Sequence, residues 1–460
     1  MENYIALGFG CLLFCIAVFY RETLSVREIK SFRIINLFGY MYGLTFGLLP
    51  AAVLLMYSFT GLTLSHGYYM IDYTADGLRR IFIWFLLSIV GYIVVQIVYK
   101  SAFSNQYSEL CKKKLNDLDS NLIKENTSDY ILEKLQLFLI ICFAISCVSL
   151  HLWLKAYDGF WGLIQIADAV RDGVSNVVNP LAFFLRPGKM IMAVFFMSII
   201  LIKKKYNIGF NFIIMCVSFV LSALMLIALD GRLSMVTYLV IMALLVGEFF
   251  KIGGFSSKKF KSLAIIAVLS IIFIMNIDTL TDMLRGGYRS SSQESTSFVE
   301  NLLLEFTYII TGAQKAVETC IDASGTPMIG HDILGGIFAW VPASLRPDGI
   351  INIWNHNTVL CTIGDYIYGQ LPCDFITTSI YNLGWFGPLV SGIFWGIIIK
   401  FIDFMHLKKD DPFSNVLYYL LSMRIFRLVN YCLLYDFVLG VFDIFLAYVI
   451  WKACTIFTWK

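Results

Sequence analysis

Long, almost uncharged apolar runs constrain this chain more than any other feature. Eleven of them lie at roughly 4–20, 34–58, 80–99, 135–154, 188–202, 207–229, 233–250, 262–278, 376–400, 412–430 and 435–454. A helix that crosses a bilayer needs about 20 mostly apolar residues. Hydrocarbon offers no partner to backbone amides, so each run is expected to be helical. The runs are continuous rather than alternating, which excludes a transmembrane barrel. A large soluble core is excluded as well. Of the 460 residues, 58% are hydrophobic and 15% charged, against about 25% charged in a soluble domain, so too few polar residues remain to cover one. The expected fold is an all-α, polytopic integral membrane helix bundle of about 11 transmembrane helices, with a large extracytoplasmic loop containing short helices. Residues 1–278 would hold the first eight helices, 279–375 the loop and 376–460 the last three.

Basic residues beside the spans set the orientation. With RETLSVREIKSFR (21–33) in the cytoplasm, alternation also puts the lysines at 112–114, 203–205, 251–261 and 406–411 inside. The N-terminus is then extracytoplasmic and the C-terminus cytoplasmic. The first run, from Ile5 to Tyr20, has no basic n-region and no A-x-A site, and reads as a helix that stays. On this topology 19 Lys and three Arg lie inside, while ten Arg and three Lys lie outside or at outer helix ends. Lysine thus carries the topological signal, and the outward side is selectively arginine. Arginine's planar fork suits bidentate capture of phosphate. The plainer reading is snorkelling of cationic ends to the interface.

Two outward loops are substantial. One, 155–187, carries Trp161, Arg171, Arg186 and Pro187. The other, 279–375, holds a helix over 297–322 expected to lie flat on or beside the bundle, followed by a stretch rich in Gly, Pro, Trp and Asn.

Several constellations could carry chemistry. Asp230-Gly231-Arg232 joins two spans at the outer face, where a charged pair is usually functional, or else caps a tight hairpin. In LRGGYRSSS (284–292), Arg285 and Arg289 flank two glycines beside Tyr288, a pattern suited to an anion. Arg346 lies further along this loop. In IWNHNTVLC, His356 sits between Asn355 and Asn357 in an apolar setting. Histidine is the side chain whose ordinary pKa suits general-base work, although a hydrogen-bonded structural histidine has the same look. His331 is its rival, in a wetter segment. His66 and His151 have no cluster around them, and His406 lies beside Lys408. Arg424 and Arg427 share the outer half of one span and need a polar cavity or an acid, for which Asp436 is the candidate; Asp443 is a further buried acid.

Other signals carry little. The 11 cysteines include no CxxC pair and no Cys/His cluster at metal spacing. Cys11 and Cys15 read as core packing. A disulfide among Cys320, Cys361, Cys373 and Cys432 is possible by position but not indicated. Asp117-Leu118-Asp119 is a D-x-D, but the charged loop around it is too short to build a nucleotide-binding domain. Walker A, HExxH and hydrolase GxSxG motifs are absent.

Taken together, DGRLSM (230–235), WNHN (354–357), the long outward loop and the stretch GQLPCDFITTSIYNLGWFGPLVSGIFWGIII (369–399) resemble the Wzy-type O-antigen and oligosaccharide repeat-unit polymerases and the related O-antigen ligases. The resemblance covers the second half of the chain by motif and the whole by topology. It implies a GT-C-like glycosyltransferase of the bacterial inner membrane that needs neither metal nor cofactor. Donor and acceptor would be glycans on undecaprenyl pyrophosphate, with membrane lipid and a chain-length regulator as further partners and no nucleic acid. His356 would be the base. Arg232 and Arg285 would hold the diphosphate, helped by Arg289, Arg346, Arg424 and Arg427, with Asn355, Asn357 and Tyr288 assisting. Two alternatives stay open: a ligase using the same donor, and a flippase or other transporter, although no internal repeat of the transporter kind is present.

Overall fold

The computed structural model describes residues 2–66, 69–119, 129–166, 177, 179–226, 231–251, 303, 306–338, 341, 345, 347, 353–361, 371–408, 412–432 and 434–456. They form helices α1 (Glu2–Ile29), α2 (Ile34–Thr60), α3 (Ala75–Ser101), α4 (Ser104–Asp119), α5 (Asp129–Leu154), α6 (Gly159–Gln165), α7 (Ala182–Lys203), α8 (Ile208–Met225), α9 (Gly231–Val246), α10 (Thr307–Val317), α11 (His331–Phe338), α12 (Ile353–Cys361), α13 (Phe375–Leu383), α14 (Gly387–Lys408), α15 (Pro412–Leu428) and α16 (Leu434–Ile456). One minimal antiparallel hairpin, β1 (Ser65–His66) with β2 (Tyr69–Met70), links α2 to α3.

Among the described residues, seven helical stretches are long and apolar enough to cross a membrane: α1, α2, α3, Tyr130–Tyr157, α7, α8 and Phe375–Lys408. The protein is therefore a helical, membrane-embedded one. The expected spans at 233–250, 412–430 and 435–454 correspond to the helices α9, α15 and α16. The span expected at 262–278 lies outside the described residues, as do 279–302 of the loop.

Helix α1 shows how the pattern becomes a bundle. Tyr4, Leu7, Cys11, Cys15, Val18, Glu22 and Val26 form a buried stripe at helical spacing. Phe9, Leu13, Ile16 and Tyr20 form the opposite, exposed stripe, which suits lipid. Helix α8 repeats the arrangement, with Asn211, Ile214, Ser218 and Ser222 inward. In lipid no hydrophobic force drives helices together, so close packing must do so. Accordingly, Gly392 and Gly396 on α14 meet Val94, Val95 and Val98 on α3 so closely that a methyl at either glycine would press into the valines.

Polar side chains tie the interior. Glu22 accepts bonds from Arg21, Tyr92, Gln96 and Asn36, linking α1, α2 and α3. Asp403 accepts from Tyr99, Tyr418 and the Ile34 amide, linking α14, α3, α15 and α2. Interhelical bonds of this kind contribute about 0.6 kcal/mol each in a membrane. Helix α2 contains a π turn at Leu44–Leu48 just before Pro50, which accommodates a residue with no N–H to donate.

Two expectations need correction. The helix expected over 297–322 to lie on or beside the bundle is, in its described part α10, enclosed by its neighbours α3, α12 and α13, so nearly every residue of α10 is buried. Its amphipathic pattern gave no sign that the polar face would also find partners. Gln314 bonds the Asp72 carbonyl and amide and the Gly77 carbonyl. Beyond α10, Asp322 receives both Arg79 Nη atoms at 3.1 and 2.7 Å and Arg80 Nε at 3.1 Å. In addition, Arg186 and Pro187 belong to α7 rather than to the preceding loop, because the 3₁₀ turn at Ala182–Phe184 opens this helix early.

Candidate functional site

Helices α7, α9, α15 and α16 converge on a cavity of about 280 Å³. Arg424 and Arg427 stand one turn apart on α15 and therefore share a face. Arg186 and Lys189 have the same spacing at the start of α7. All four line the cavity, together with Ser234 and Thr237 of α9 and Gly440 and Asp443 of α16. The remaining wall is apolar and includes Met192, Leu226, Leu420 and Met423. The described lining thus carries four cationic side chains against one carboxylate. Arg186, Lys189 and Arg427 stand near helix ends, where long cationic side chains can reach the interface, so it is the cavity they share, rather than the cost of inserting them, that singles them out.

Local packing aims these groups. Arg424 Nη2 bridges both oxygens of Asp443 at 3.0 Å. Its guanidinium occupies the space where a side chain at Gly440 would be, since a methyl there would overlap it. Arg427 lies over the Tyr431 ring, 5.2 Å from its centroid, and Arg186 lies over Phe183 at 5.8 Å. Asp443 is the acid that meets Arg424, where Asp436 was the expected partner. Seven residues, about two turns, separate positions 436 and 443 on α16, so the two share a face and the apolar pattern did not distinguish which of them would meet Arg424. The Asp436 side chain is outside the described set.

The other expected residues fall in three groups. Arg232 and Asn355 sit on α9 and α12 by backbone, with side chains outside the described set; Ser234 and Thr237 place the start of α9 at the cavity. Arg285, Tyr288, Arg289 and Arg346 lie outside the described residues. His356 and Asn357 are described, and they differ. Asn357 is fully buried. It donates to the Leu371 and Pro372 carbonyls at 3.3 and 3.1 Å and accepts from Tyr381 and Cys361. All four bonding positions of an amide are then filled, so Asn357 acts as a clamp between α12 and the chain before α13.

His356 is half-buried, with its ring edge-on to Tyr381 at 5.3 Å. Burial lowers its pKa below the ordinary value, which keeps the imidazole neutral and able to accept a proton. It is not among the described residues lining the cavity. One layer intervenes: α12 packs on α10, Tyr308 of α10 contacts Tyr431, and Tyr431 underlies Arg427.

Lys189, Ser234 and Thr237 were not anticipated. The arginine-lysine pair RPGK at the head of an apolar run was the available signal, and it reads equally as a snorkelling helix end. Among the described residues no His/Cys/Asp/Glu cluster could hold a metal ion, and the cysteines described there are free thiols.

No family model matches the chain, and neither a characterised protein nor a solved structure resembles it.

Proposed function

We propose that this protein transfers glycans carried on a lipid diphosphate, polymerising undecaprenyl-pyrophosphate-linked repeat units at the outer face of the bacterial inner membrane. The cavity shared by Arg186, Lys189, Arg424 and Arg427 carries this reading. Its chemistry is amphiphilic, since cations and Met and Leu side chains line the same space, as a phosphate joined to a hydrocarbon chain requires. Fixed cations there would also stabilise the charge that develops on a departing diphosphate. The proposal includes eleven membrane crossings, the loop from 279 to 375 outside and the N-terminus on the same side. That orientation brings the cavity to the outer face. His356 on α12 takes the proton of the attacking sugar hydroxyl, which requires the sugars to extend from the cavity past the Tyr308–Tyr431 layer to α12, and Arg232 and Arg285 join the diphosphate contacts.

The test is a polymerisation assay with lipid-linked repeat units. His356→Ala should lower turnover by about 10²–10⁴ without reducing the amount of folded protein. Wild-type activity should fall on the acid side, below the ordinary histidine pKa of about 6.5. Wild-type turnover by the variant removes His356 as base. A ligase would use the same cavity for the same donor. Single-repeat glycan accumulating in a deletion strain identifies the polymerase, and long unattached polymer identifies the ligase.

A further inference from the structure

A second cavity lies toward the other end of the bundle. Helix α14 ends at Lys408 and α15 begins at Pro412, so Lys400 stands near the turn between them, while Arg424 and Arg427 stand at the far end of α15. This cavity, of about 260 Å³, is lined by Arg21, Arg33, Tyr99, Lys100, Tyr107 and Lys400, among others.

Two of those cations are in an unusual state. Lys400 is 4% exposed and Arg33 8% exposed. Lys400 Nζ rests 3.5 Å from the centroid of Tyr107 and 4.4 Å from that of Tyr99. The Arg33 guanidinium lies 4.7 Å from the Tyr107 centroid, and its Nη2 donates to Cys111 Sγ at 3.4 Å, a weak acceptor. Among the described residues, no carboxylate oxygen lies within 4.0 Å of either cation. Asp403, which accepts from Tyr99, Tyr418 and the Ile34 amide, acts on both cations through space without touching either. Glu22, which also lines the cavity, is bonded by Arg21, Tyr92, Gln96 and Asn36. Glu28 is exposed at the margin. Two buried cations that share the charge of one acid, and whose direct contacts are aromatic faces and a thiol, leave room for an anion to join them.

We propose that this cavity binds a phosphate-type anion between Lys400 and Arg33. The guanidinium supplies a planar fork and the ammonium a point charge, the combination that recognises phosphate oxygens. The group is either the headgroup of an anionic phospholipid or a free phosphate. This site is independent of the glycan-transfer reading, since it shares no residue with the first cavity.

The test uses the purified full chain in nanodiscs of phosphatidylcholine, with thermal unfolding as the readout. One arm adds inorganic phosphate against chloride at matched ionic strength. The other replaces part of the lipid with phosphatidylglycerol. At least one arm should raise the wild-type Tm. Lys400→Met should weaken that response by about tenfold or more in apparent affinity. Its own anion-free Tm should equal or exceed the wild type's, because it removes a buried charge. Lys400→Arg should respond, and so should a variant lacking Arg186 and Arg427. A response to phosphatidylglycerol alone assigns the site to lipid, and a response to phosphate alone assigns it to a soluble ligand. Absence of any wild-type response overturns the proposal, as does an unchanged response in Lys400→Met. Should that variant not fold, Arg33→Met is read in the same way. Should neither fold, native mass spectrometry of the wild type decides: a retained phosphate or phosphatidylglycerol adduct upholds the site, and its absence overturns it.

Discussion

Arginine occurs in two different settings toward the same end of this bundle. At the start of α3, Arg79 and Arg80 face carboxylates. Asp322 takes both Nη atoms of Arg79 and Nε of Arg80, while Glu318 and Asp72 stand 3.4 and 4.0 Å from Arg80. Where α7, α15 and α16 meet, Arg186, Lys189, Arg424 and Arg427 line a cavity to which the described residues bring one acid, Asp443. The first cluster fastens the end of the α10 segment to α3. The second gathers charge around a space. An excess of arginine on one side therefore does not by itself mark a binding site; what distinguishes the proposed receptor from the fastener is the cavity that its cations line.

The largest effect expected from this contrast is at the cavity. Arg186→Ala combined with Arg427→Ala should lower glycan transfer by about 100-fold or more and leave Tm within about 2 °C of wild type. A large Tm loss with transfer retained would make these residues fasteners too, and the contrast would fail.

A smaller effect is expected at Gly440. Gly440→Val fills the space held by the Arg424 guanidinium and should push it off Asp443. Transfer should fall about tenfold, the range of one misplaced charge-assisted contact. Gly440→Val with full activity would show that the position of Arg424 is immaterial.

The smallest effect is at the fastener. Asp322→Asn should lower Tm by about 2 °C and leave transfer unchanged. Burial alone would raise the Asp322 carboxyl, but hydrogen bonds from Arg79 and Arg80 hold it below its ordinary value. A carboxylate depressed in the folded state stabilises above its unfolded pKa, and that contribution is lost as pH falls through the folded value. Wild type should therefore lose more Tm than Asp322→Asn on acidification below about pH 4. Parallel curves for the two proteins would break the assignment.

The helices were legible because uninterrupted apolarity has one structural solution in lipid. Their ends were less so. Arg186 and Pro187 look like loop residues, yet the 3₁₀ turn before them carries the helix out to residue 182. Enclosure of α10 was not legible, because an amphipathic pattern states which face is polar without naming what will meet it. Gln314 finds its backbone partners in a segment some 240 positions away. At the cavity, Arg424 and Arg427 were readable as a charged pair on an apolar helix. Lys189, Ser234 and Thr237 were not, since nothing local distinguishes a cation facing a cavity from one reaching for an interface. Asn357 illustrates the reverse: its neighbour His356 lent it a chemical look, while its four bonds make it a clamp.

The π turn in α2 has a consequence for how that helix is oriented. An α-helix advances about 100° per residue, and a π turn absorbs one residue more than the regular winding. Everything beyond Leu48 is thus rotated relative to the segment before Leu44, as though two shorter rods had been welded out of phase. The first rod turns Asn36 toward Glu22, and the weld itself brings Thr45 to Asn430, three residues past Arg427. Deleting one residue from Leu44–Leu48 would restore a regular helix and swing one of those rods out of alignment with its neighbours, so the irregularity acts as a setting of angle rather than a flaw in the winding.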